Sequence, residues 1–119
     1  MDTSERKRKL QEIEDILKSF MGSEKKYEGL SACYFTPHCF ARENQGIHCV
    51  YSGNDSNVIE DLLGYLDIPV MMNGLLIETV KSQANGMYHV FVYDDDRFHI
   101  DNLRKLNIMN TEEIFSKNR

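Results

Sequence analysis

Residues 75–94, Leu-Leu-Ile-Glu-Thr-Val-Lys-Ser-Gln-Ala-Asn-Gly-Met-Tyr-His-Val-Phe-Val-Tyr-Asp, decide the fold. Two runs rich in β-branched and aromatic residues, 75–81 and 87–94, flank Asn85-Gly86. Asn-Gly between two such runs is the strongest short-range hairpin signal, because both residues tolerate the positive φ that tight turns demand. The chain therefore contains at least one antiparallel strand pair.

Upstream, Ser52-Gly53-Asn54-Asp55-Ser56 reads as a turn into a helix over 56–66. Val58, Ile59, Leu62, Leu63 and Leu66 form its apolar stripe, and Asn57 with Glu60 has capping-box spacing. Pro69 lies beyond the expected end, and Asn73-Gly74 marks a turn. Earlier still, 30–36 reads as a strand closed by Thr36-Pro37. Residues 38–52 read as a hairpin turning at Glu43-Asn44-Gln45-Gly46. Ile47, Cys49 and Tyr51 alternate with His48, Val50 and Ser52, which is strand periodicity. A register pairing Ala41 with Cys49 and Arg42 with His48 gathers Cys39, Ala41, Ile47, Cys49 and Tyr51 on one inward face. It places His38 and His48 outward and puts the least charge in the core.

At the N-terminus, Leu10, Ile13, Ile16, Leu17, Phe20 and Met21 recur every three or four residues, predicting a helix over 2–21. Its first turns, with Arg6-Lys7-Arg8-Lys9, carry little apolar surface and are expected to project beyond the core. Downstream, Asp94-Asp95-Asp96 reads as a turn before a short strand at 97–100. Helical segments follow at 101–106 and at 112–117, the latter capped by Thr111. Strands grouped between helices predict a single α+β domain over 1–119. Its sheet is antiparallel, of about five to six strands in two hairpins, with helices packed on one face.

Charge is unevenly distributed. The chain has 14 basic and 19 acidic residues, a net of −5. Residues 1–28 are neutral. Residues 29–96 hold two basic residues, Arg42 and Lys81, against nine acidic ones, a net of −7, and 97–119 carry +2. A field of one sign selects partners of the other. Asp55, Glu60, Asp61, Asp67, Asp94, Asp95 and Asp96 are the candidate contacts for a basic protein partner, such as a nucleic-acid-binding enzyme. The plainer reading of the same residues is a charged surface that maintains solubility. Direct nucleic-acid binding is disfavoured, since phosphate contacts need Lys and Arg that the central body lacks. The basic cluster at 6–9 is offset by neighbouring acids; its alternative role is in a nucleic-acid-associated regulator.

Catalytic motifs are absent. There is no Gly-rich phosphate loop, and the Asp triplet lacks the EF-hand spacing. His38-Cys39 and His48-Cys49 carry zinc-type ligands. Adjacent residues of a strand point to opposite faces, however, so a regular doublet cannot aim both at one metal. Cys39 and Cys49 read first as small core residues. A small-molecule-binding or Cys/His-dependent domain using His38, Cys39, His48 and Cys49 is the alternative. No cofactor is implied. The three cysteines, the polar residues 1–9 and the lack of a long apolar run lead to the expectation of a reducing cytoplasm, with no signal peptide or membrane span. Leu10, Ile13, Leu17 and Phe20 either cover the sheet or pair with a second copy in a homodimer. The functional expectation is a non-enzymatic binding or inhibitor module, of the type carried by bacterial and phage accessory systems.

Overall fold

The computed structural model describes residues 3–35, 46–82, 86–94 and 114–115. The elements are α1 (Thr3–Met21), a single 3-10 turn (Lys25–Tyr27), β1 (Leu30–Phe35), β2 (Gly46–Tyr51), α2 (Ser56–Met72), β3 (Leu76–Lys81), β4 (Tyr88–Tyr93) and β5 (Ile114–Phe115). The fold is α+β with one antiparallel sheet. Four strands of six residues run in the order β3-β4-β2-β1, and the two-residue β5 adds at the outer edge of β1. The sheet thus has four full strands rather than five or six. Residues 112–117 were expected to be helical, but Ile114 and Phe115 pair instead with Cys33 and Ala32. Free edge backbone groups on β1 override weak local helix signals there. The expected strand at 97–100 and helix at 101–106 lie outside the described residues.

The β3–β4 hairpin forms where Asn85-Gly86 predicted it. Ser82 N–H donates to Met87 O and Gly86 N–H to Ser82 O, with Gly86 at φ +72°. Residues 38–45 of the hairpin expected over 38–52 lie outside the described residues, and its second strand, β2, has other partners than Ala41 and Arg42. Along its whole length β2 pairs with β1 on one edge, Ala32 opposite Cys49, and with β4 on the other, Cys49 opposite Val90. Both edges of β2 are therefore taken. Non-local pairing with two strands satisfies twice the backbone groups that a local hairpin would.

One sheet face meets the helices. Leu30, Ala32, Ile47, Cys49, Tyr51, Val90 and Val92 pack there against Leu10, Ile13, Leu17 and Phe20 of α1 and against Val58, Leu62, Leu66 and Val70 of α2. The α1 stripe is therefore occupied within the chain, covering the sheet. Phe20 stacks on Tyr27 with ring centroids 4.2 Å apart. The start of α1 does not project freely, because the Arg6 guanidinium pairs with Asp94 at the end of β4.

The second helix begins as Asp55 accepts a hydrogen bond from Asn57 N–H at 2.9 Å, so Asp55 rather than Asn57 is the cap. It runs past the expected end at 66 and through Pro69. A proline inside a helix removes a hydrogen bond and costs about 3 kcal/mol. The compensation lies in the residues that follow. Val70 continues the buried column of Leu62 and Leu66, and the helix closes in a Schellman motif. Leu75 N–H donates to Val70 O and Gly74 N–H to Met71 O, with Gly74 at φ +68°. Asn73-Gly74 is the true stop signal.

Removing Arg6 alone strands a carboxylate whose side chain is 2% exposed. Arg6→Met is expected to lower unfolding stability by roughly 3 kcal/mol, and Arg6→Met with Asp94→Leu to recover most of it. Urea denaturation of the two variants checks this; equal losses in both would contradict the pairing.

Candidate functional site

Of the seven acidic residues proposed from sequence, the five that are described divide into two groups. Asp94 is withdrawn from the surface by Arg6, so it is not a contact for a partner. Asp95 and Asp96 lie outside the described residues. The other four line α2. Asp55 caps it. Asp61 accepts from Tyr27 Oη–H at 2.8 Å and pairs with Lys26 Nζ at 3.2 Å. Those bonds to Tyr27 and Lys26 hold its carboxyl below the ordinary carboxylate range. Glu60 and Asp67 are exposed, and neither has an ion pair or hydrogen bond among the described residues. Seven residues apart, they lie two turns apart on one side of the helix. The helix contains no Lys or Arg.

Beside these carboxylates α2 bares a second apolar stripe that the sequence reading missed. Ile68, Met71 and Met72 are 61%, 70% and 78% exposed. Tyr65 and, at the start of the edge strand β3, Leu76 are also exposed. The signal was present at positions 65, 68, 71 and 72, off the buried stripe. It was obscured because the helix was expected to stop before Pro69. Three apolar side chains bared on adjoining turns of one helix are unusual for a surface, where apolar residues are normally scattered.

The far face of the sheet carries a different constellation. Cys33 on β1, His48 on β2 and Phe91 on β4 are direct cross-strand neighbours, and His89 sits diagonal to His48. All four are buried. The outward-facing His48 is thus not in water: it is 0% exposed. Its Nε2 lies 2.8 Å from His89 Nδ1, and its ring stacks on Phe91 with centroids 4.5 Å apart. Burial, with a smaller contribution from His89, pushes the His48 pKa down to about 3. Burial lowers that of His89 as well. Both rings are therefore neutral at pH 7, each with one N–H. Whichever ring donates across the 2.8 Å contact, one buried acceptor and one buried donor are left over. These are His48 Nδ1 and His89 Nε2, which have no partner among the described residues.

Cys33 Sγ–H donates to the His48 carbonyl at 3.7 Å, so that bond activates no nucleophile. Cys49 points to the helix-covered face, where burial pushes its thiol up to about 12, and a thiol that stays protonated is a poor nucleophile and ligand. His48 and Cys49 therefore diverge, while His38 and Cys39 lie outside the described residues. Among the described residues no group of three or more His, Cys, Asp and Glu side chains could hold a metal ion. Among them, too, no helix is long and apolar enough to cross a membrane.

Comparison with family models, with curated proteins and with solved structures finds no match to this chain.

The His48 shift fixes a pH dependence. An unfolded imidazole binds a proton below about pH 6.5, whereas native His48 takes one only near pH 3. The depressed native pKa makes this contribution complete above pH 6.5 and progressively lost as pH falls towards 3. Between pH 6 and 4 His48 alone should reduce stability by about 1.4 kcal/mol per unit. Denaturant titrations across that window should show a shallower fall for His48→Phe; parallel pH profiles would contradict the burial of a neutral ring.

Proposed function

We propose that this chain is a non-enzymatic binding module of the cytoplasm that engages a basic protein through the outer face of α2, and acts on that partner as an inhibitor. The observation that carries the reading is the state of Glu60 and Asp67. Both are exposed and unpaired among the described residues, on a helix without a single Lys or Arg. Asp55 and Asp61 extend the same sign of charge along the helix, although each also has a structural partner. Complementary charge of this kind speeds encounter and suppresses wrong partners more than it adds raw affinity. A helix braced by a buried column and closed at both ends is a rigid support for such a surface.

The buried histidine pair favours no catalytic reading. Its rings lie inside the sheet's far face, and the nearby thiol bonds to a backbone carbonyl.

With a basic partner in hand, affinity should fall about tenfold or more between 50 and 200 mM salt. Glu60→Lys with Asp67→Lys should weaken binding by about tenfold at low salt and flatten that dependence. Titration calorimetry of both proteins at two salt concentrations checks this. Binding indifferent to salt and to the double reversal would reject the anionic surface.

A further inference from the structure

The carboxylates of α2 do not stand alone, and the apolar side chains among them specify the partner further. On the proposed function of this face as a basis, we infer that the ligand is a cationic amphipathic helix whose apolar side docks on Ile68, Met71 and Met72. Glu60 and Asp67 then face its Lys or Arg residues.

Three features of the helix lead there. The apolar side chains are bared at 61%, 70% and 78%, and Tyr65, one turn before Ile68, is exposed as well. Such a strip is what an amphipathic helix covers, by anchors spaced three and four residues apart. Second, the anchors include two adjacent methionines. Their unbranched, polarizable side chains adapt to the shape of a partner, a property that favours recognition of varied apolar surfaces. Third, the rim is acidic. Glu60 and Asp67 lie along one flank of the strip, and Asp61, seven residues before Ile68, lies in line with it, with no basic residue in the helix. An apolar strip edged by carboxylates is matched by an apolar strip edged by lysines or arginines.

The same charge argues against a second copy of this chain as the occupant. Two α2 helices meeting on this strip would bring carboxylates against carboxylates with no cation on either helix. Like charges placed together across an interface cost affinity. Nor is the strip required by the fold. The core column of α2 is Val58, Leu62, Leu66 and Val70, on its opposite side. Substitutions at 68 and 71 therefore leave folding intact, which a thermal melt verifies.

The test uses the full chain and two labelled 18-residue peptides of Lys and Leu. One places all its leucines on a single helical face; the other has the same composition with leucines spread around the helix. Fluorescence anisotropy should show the amphipathic peptide binding about tenfold or more tightly than the scrambled one. Ile68→Ser with Met71→Ser should abolish that preference. Glu60→Gln with Asp67→Gln should weaken both peptides alike. Equal binding of the two peptides to the unaltered chain would overturn the apolar anchor while leaving the basic-partner reading intact. Absence of binding by either peptide at low salt would overturn both. A dimer seen in sedimentation and lost in Ile68→Ser with Met71→Ser would also overturn it, by assigning the strip to a second copy.

Discussion

The structure depends on β2 being enclosed at both edges and over nearly all of both faces. Its edges are taken by β1 and β4, and its side chains are buried on both faces, Ile47 and Cys49 towards the helices and His48 away from them. Antiparallel sheets commonly leave one face to water. Here the middle row of the far face, Cys33, His48 and Phe91, is as dry as the core. A polar side chain in that position must find its hydrogen bond inside the protein, and His48 finds it across the β2–β4 ladder at His89. The pair is thus a cross-strand contact that works only in this register. A one-residue slip of β4 would turn His89 to the opposite face.

Enclosure of β2 also sets where the chain can be read from sequence and where it cannot. Local signals were legible. The α1 stripe, the β3–β4 hairpin and the first residue of α2 each lie within a few residues of the groups that cause them, and each formed as expected, although the cap of α2 is Asp55 rather than Asn57. The partners of β2 are set by pairing across the sheet, and its alternation of Ile47, Cys49 and Tyr51 suited a local hairpin equally well. Alternation reveals that a strand has two faces, not which strands lie beside it. The end of α2 is not legible in the sequence for a related reason. Pro69 is a local helix breaker, whereas the burial of Val70 and Leu75 that outweighs it depends on the assembled core.

The candidate surface was legible to the same degree. Glu60 and Asp67, seven residues apart in a predicted helix, announce a common side. Asp94 does not announce Arg6, which is 88 residues away. Nor does Met71 announce its exposure while the helix is expected to end before it. The outcome is a division of labour. Polar groups that could have done chemistry, Cys33, His48 and His89, are built into the interior of the sheet, whereas α2 leaves carboxylates and apolar side chains facing water. This combination on one helix is the basis of the proposed binding surface.

Backbone NOEs from β2 in the folded protein test the enclosed strand most directly. Cross-strand contacts from residues 47–51 should run to both neighbours, linking Cys49 with Ala32 on one side and with Val90 on the other. Contacts from 47–51 to 38–42 in place of either set would show a local hairpin, and the sheet order, the histidine pair and the support for α2 would fall together.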